Sequence, residues 1–178
     1  HNLLLKVEHL QAIAIDANPL THLPGNNTIV LTIQNAINAN SDVALIYTDL
    51  DYFKSYNDAY GFSAGDDVLL FNANTLQDVL RMACGDEGFL GHIGGDDFVM
   101  MFPAQKMQKV GLEIIRAFDE GIPEFYGEED QMRGGIVSRD RSGGVCKFPL
   151  VSISLAGIEL KNKGFTRYVE VATACAEL

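Results

Sequence analysis

Positive charge is scarce in this sequence. Its 178 residues carry 13 Lys and Arg against 24 Asp and Glu, a formal net charge of −11. That balance excludes the phosphate backbone of nucleic acid as a direct partner, because affinity there comes from Lys and Arg displacing counterions. A polyanionic ligand would need a metal to mediate. Long apolar runs are lacking too: there is no stretch of about 18 uncharged apolar residues, which excludes a helical membrane span and any membrane contact of that kind. Cysteines number only three, Cys84, Cys146 and Cys175, with no C-x-x-C spacing. They fit buried thiols in a reducing cytoplasm and carry no local Cys/His pattern for catalysis. No signal-peptide pattern opens the chain, since the apolar stretch after His1-Asn2 is broken by Lys6 and Glu8. The first residue is not Met, so a piece of a longer cytoplasmic protein is expected. Internal repeats and low-complexity segments are absent.

What is present is the composition of one globular domain, with 47% hydrophobic residues, enough to exclude disorder. Leu3 to Ala17 reads as an amphipathic helix and is expected to be a connector from a preceding domain, with the domain proper over 18–178. A turn-rich Pro19–Gly25 segment precedes a helix over about Asn27–Asn38. Val43–Asp49 reads as a strand buried on both faces, ending in Asp49-Leu50-Asp51. A short helical turn with Phe53 and Tyr56 follows, broken by Gly61. The next helix spans about Ala64–Ala83, with Ser63-x-x-Asp66 resembling a capping box. Phe89–Ile93 and Phe98–Phe102 flank Gly94-Gly95-Asp96-Asp97, a hairpin signal with carboxylates at its tip. A helix over about Gln105–Glu120 leads to a polar, Gly-rich stretch, Tyr126–Lys147, expected as a solvated hairpin or loop. That stretch returns into an alternating strand, Phe148–Leu160, and a final helix begins near Thr166. This order gives an α+β fold: a ferredoxin-like palm, mainly antiparallel, flanked by helices.

Two acidic sites sit where strands give out, Asp49/Asp51 and Asp96/Asp97. Carboxylates at adjacent strand ends repel unless a cation lies between them, and hard divalent ions take such ligands alongside substrate phosphates. Asp is also an ordinary turn residue, so either pair alone is ambiguous. His92 and His22 read as packed or surface residues in preference to ligands.

The run from Asp49 through Phe53-Lys54 to Asn57-Asp58, then Tyr60-Gly61-Phe62, Gly65-Asp66 and Gly94-Gly95-Asp96-Asp97-Phe98, resembles the GGDEF domain of diguanylate cyclases. Pro19-Leu20-Thr21 upstream and Val151–Leu155 downstream extend the likeness over nearly the whole chain. Leu23-Pro24-Gly25-Asn26 and Gly91-His92-Ile93 are similar to GGDEF domains that follow EAL and CBS domains. The resemblance implies condensation of two GTP to cyclic di-GMP, with Mg²⁺, or Mn²⁺, held by Asp49, Asp96 and the Leu50 carbonyl. It implies that Asn57 and Asp66 read guanine, and that the backbone near Phe53 and Lys54 receives phosphates. Gly94 and Gly95 admit the nucleotide, and Asp96, Asp97 and Lys54 serve catalysis. A second GGDEF domain is the expected partner, because each 3′-hydroxyl must reach the other domain's α-phosphate.

Four departures stand against that pattern. The fourth signature residue is Asp97 instead of Glu. Gly85 and Gly88 replace the Arg and Asp of the inhibitory product site. Asn18 and Asn26 replace an Asp and an Arg, and no phosphate-contacting Lys or Arg of the closing helix is placed before Leu178. The alternative reading is a catalytically weak GTP-binding module that regulates an attached EAL phosphodiesterase.

Overall fold

The structure is a computed structural model that describes residues 16–139 and 144–177. The expected connector helix lies almost entirely outside the described residues.

Its central strand, β1 (Val43–Asp51), is where the sequence is most apolar, and both of its faces are covered. Ala44, Ile46 and Leu50 point into one core, with Val68, Leu76, Phe98, Met100, Ile114 and Phe118. Leu45 points the other way, into a smaller core with Ile29, Ile33, Val99, Val171 and Cys175. This period-two division explains why the strand reads as a continuous hydrophobic run.

Helix α1 (Asn26–Asn38) covers the smaller core. Its start is capped from a distance: the Asp16 carboxylate accepts the Thr28 N–H at 2.8 Å and the Asn27 amide at 3.1 Å. After β1 come α2 (Phe53–Tyr60) and α3 (Phe62–Cys84), joined only by Gly61 at φ +87°. The hairpin β2 (Phe89–Gly94) and β3 (Asp97–Pro103) leads to α4 (Met107–Gly121). Then come α5 (Glu128–Arg133), β4 (Gly135–Arg139), β5 (Val145–Pro149), β6 (Ser152–Glu159) and α6 (Tyr168–Ala176).

The main sheet has the order β2-β3-β1-β6, antiparallel throughout, and β4 and β5 form a separate ribbon. The expected palm is thereby found. The smaller core contains α1 and α6 residues, and the larger core contains α3 and α4 residues.

Four local expectations need correction. β1 continues through Asp51, because β6 pairs with it to Asp51↔Ser152 and both Ser152 and Ser154 hydroxyls donate to the Asp51 carboxylate, at 3.1 and 2.6 Å. No capping box forms at Ser63: α3 starts at Phe62, so Ser63 lies inside the first turn and Gly61 occupies the cap without a side chain. The acidic run Glu128-Glu129-Asp130 is the first turn of α5, where carboxylates favour the exposed N–H groups. The strand expected over Phe148–Leu160 is two strands separated at Leu150 and Val151, the first pairing with β4 and the second with β1.

Cys84 and Cys175 are buried, and burial pushes both thiols up, Cys175 to about 11, which leaves them inert at neutral pH. Among the described residues no helix is long and apolar enough to cross a membrane.

Candidate active site

The β1–β3 pairing ends at Thr48↔Phe98, which sets Asp49 and Asp97 opposite each other one residue further on, on the same face of the sheet. The β2–β3 hairpin closes with Gly94↔Asp97, so its turn is Gly95-Asp96, with Gly95 at φ +57° where a side chain would be strained. Asp96 therefore hangs beside the end of β1. Burial, then Asp49 and Asp97, hold the Asp96 carboxyl above the usual carboxylate range. Burial, then Asp49, do the same for Asp97. Nothing cationic approaches this edge closely enough to form an ion pair among the described residues.

This donor set fits a divalent cation. No group of three or more His, Cys, Asp and Glu side chains is arranged to enclose a metal among the described residues. Two mutually repelling carboxylates, Asp49 and Asp96, instead suit a hard divalent ion that keeps waters and takes its remaining ligands from a substrate.

The chain leaves β1 through Tyr52, held at φ +65°, an uncommon conformation for a residue with a Cβ. That turn reverses direction into α2, whose first N–H groups have no side-chain cap. They point toward the end of β1, beside the exposed Lys54 in the first turn, and uncapped helix N–H groups of this kind suit an anion. Phe53 is 9% exposed and packs in the core, so only its backbone is available to a ligand.

One turn on, Asn57 Oδ1 is buried with no hydrogen-bond partner. It lies against Gly65: a Cβ there would stand 1.8 Å from it. Asp66, next to Gly65, is exposed and, with no capping box formed, free to face a ligand. An orphaned buried amide oxygen beside a free carboxylate accepts hydrogen bonds from a group that presents adjacent N–H donors, as guanine does at N1 and N2. Side chains built on Gly94 and Gly95 would meet nothing within 4 Å, leaving the hairpin open to a ligand.

Sequence reasoning placed all these residues but missed what holds the hairpin. His92 is buried, stacked on Phe98 at 4.1 Å. Its Nε2 donates to the Gly95 carbonyl at 2.9 Å, and its Nδ1 accepts from the Thr21 hydroxyl at 2.9 Å. Burial lowers its pKa, so the ring is neutral at pH 7. The departures upstream are built into the same support: Asn18 Oδ1 accepts the Leu20 and Thr21 N–H groups, and Asn26 donates to the Ile93 carbonyl at 3.1 Å. No local signal links Thr21 to a histidine 71 residues away.

A family model described as "Diguanylate cyclase, GGDEF domain" matches residues 15–133. The diguanylate cyclase DgcP of Pseudomonas aeruginosa is 33% identical over 118 residues, 62% of this chain and 17% of that protein. The cyclic di-GMP phosphodiesterase PdeR of Escherichia coli is 34% identical over 96 residues, 53% of this chain and 14% of that protein. The chain thus spans less than a fifth of either relative. Among solved structures, diguanylate cyclase SiaD from Pseudomonas aeruginosa, in complex with its activator SiaC, superposes with a TM-score of 0.69 at 20% identity, over 99% of this chain and 61% of that one. The GGDEF domain of DgcB from Caulobacter crescentus, in complex with c-di-GMP, gives 0.61 at 21% identity, over 90% and 86%. These two likenesses concern the fold.

Proposed function

Since the chain belongs to the GGDEF family of diguanylate cyclase domains, we propose that it binds GTP with a divalent cation and, paired with a second such domain, condenses two GTP to cyclic di-GMP. The observation that carries this reading is the convergence, at one end of β1, of the Asp49/Asp96 carboxylates, the uncapped start of α2 and the orphaned Asn57 oxygen. Asp49, Asp96 and the Leu50 carbonyl would hold Mg²⁺, which when bound neutralises phosphate charge and supplies Lewis acidity. Asn57 and Asp66 would fix the guanine edge. The α2 N–H groups and Lys54 would position the β- and γ-phosphates. In each half-reaction the 3′-oxygen of one GTP forms a bond to the α-phosphorus of the other, the bond to the β-phosphate bridging oxygen breaks, and pyrophosphate leaves. Asp97, opposite Asp49 and made more basic by its surroundings, would take the hydroxyl proton. Orientation across two domains supplies much of the rate, so a symmetric dimer is required.

The test is to incubate the full-length protein with GTP and Mg²⁺ and separate the products by chromatography. Cyclic di-GMP that disappears in Asp96→Ala supports the reading. Saturable GTP binding without product, in a sample shown to be dimeric, overturns catalysis and supports the second reading, a regulatory module for an EAL phosphodiesterase in the same chain. That second reading is favoured by Asp97, one methylene shorter than the family's Glu, at a site where about 1 Å can cost on the order of 10²-fold.

A further inference from the structure

Helix α2 carries Asn57 and the phosphate-facing N–H groups, yet it has only eight residues and no side-chain cap. Two turns of helix do not hold themselves in water. Phe53 and Tyr56 anchor one side of α2 in the core. The same face is held further by the segment after α4, whose part from Tyr126 onward the sequence presents as a solvated hairpin or loop.

The contacts are specific. Tyr56 Oη donates to the Phe125 carbonyl at 2.7 Å. Tyr60 Oη donates to Asp130 Oδ2 at 2.6 Å and accepts the Gly127 N–H at 3.1 Å. The Tyr56 and Tyr60 rings stack at 4.8 Å and 8°, and Tyr126 meets both edge-on at 5.0 and 5.5 Å. Tyr126 Oη in turn accepts the Val151 N–H at 2.8 Å, just before β6, whose serines hold Asp51. Every hydroxyl in the cluster is hydrogen-bonded, and Asn57 follows Tyr56 on the adjacent face of the same short helix, against Gly65. The cluster therefore leaves α2 little freedom to rotate or slide without breaking several bonds at once.

We infer that residues 122–134 clamp α2, and that Tyr60 is a positioning residue which sets Asn57 for recognition of the purine edge. The inference rests on the GTP-binding reading above. It gives this segment a task in choosing the base, separate from the phosphates and the carboxylate edge.

Inosine triphosphate, which lacks the exocyclic amine of guanine, is the discriminating probe. Affinities for GTP and inosine triphosphate, each with Mg²⁺, are measured by calorimetry on the full-length protein and on Tyr60→Phe, Asp130→Ala and Asp130→Asn. The wild type should prefer GTP. Tyr60→Phe keeps the ring stack but loses both hydroxyl bonds, and it should reduce that preference about three- to tenfold, as should Asp130→Ala. Asp130→Asn still offers an oxygen to the Tyr60 hydroxyl and should stay within about twofold of wild type. A GTP preference unchanged in Tyr60→Phe and Asp130→Ala overturns the inference, whatever happens to thermal stability. So does a wild type that binds GTP without preferring it. A wild type that binds neither nucleotide overturns the GTP-binding reading itself, and the inference with it.

Discussion

Asp96 and His92 belong to one hairpin and live in opposite circumstances. Asp96 is crowded by other carboxylates and raised in pKa, with nothing cationic to answer it. His92, three residues away from Gly95, has both ring nitrogens bonded and a phenyl ring stacked on its face. One end of the hairpin holds unfavourable electrostatics that a ligand would relieve, and the other is fully satisfied. The contrast separates the residues proposed to do chemistry from those that hold them still: like charges stay together only on a support that does not yield.

The largest effect that tests this contrast is on activity. Asp96→Ala should lower cyclic di-GMP formation on the order of 10²–10³-fold while leaving resistance to urea unchanged or higher, because repulsion is removed. His92→Ala should do the reverse in the unliganded protein, costing about 2–4 kcal/mol in urea denaturation through a cavity and two stranded polar groups. If His92→Ala is no more destabilised than Asp96→Ala, the contrast fails.

A smaller effect lies at the end proposed to read the base. Gly65→Ala would push the Asn57 side chain, a flexible group, out of its seat. GTP binding should weaken about tenfold with the fold intact, as read by calorimetry and circular dichroism.

The smallest effect is in pH, and its signs are opposite at the two ends. The Asp96 and Asp97 pKa values are raised from 3.8, so their contribution to stability is present below that value and is lost as pH rises through the raised values. His92 is lowered from 6.5, so its contribution is present above 6.5 and is lost as pH falls through the lowered value. Melting temperatures of the metal-free protein between pH 4 and 7.5 should show the second loss vanish in His92→Gln, a change of about 1 kcal/mol or less, and the first flatten in Asp96→Asn. The same slope in all three proteins would contradict both assignments.

Much of this was legible in the residues themselves. β1 announced itself as a run with no polar face, α3 and α4 by their apolar stripes, and the hairpin by Gly94-Gly95. The carboxylates stood out physically, at the ends of two strands, whereas Asn57 came from motif resemblance, since alone it looks like any surface turn residue. The break at Leu150 was hidden because both strands alternate in the same way, and only the partner differs. Two things were out of reach for the same reason: the Thr21–His92 bond and the Tyr60–Asp130 bond join residues about 70 apart, where no local spacing carries information.

The sheet order has a consequence for synthesis on the ribosome. β1 pairs on one side with β3, complete by residue 103, and on the other with β6, whose last pair is Ala44↔Glu159. At roughly 5–20 residues per second, the central strand waits some 5–20 s after leaving the ribosome before its final neighbour exists. Throughout that interval the most hydrophobic strand of the domain has at least one edge unpaired, and both until β3 is made. A nascent chain stalled before β6 is therefore a form in which this domain is exposed to aggregation and to capture by chaperones even after its hairpin is complete.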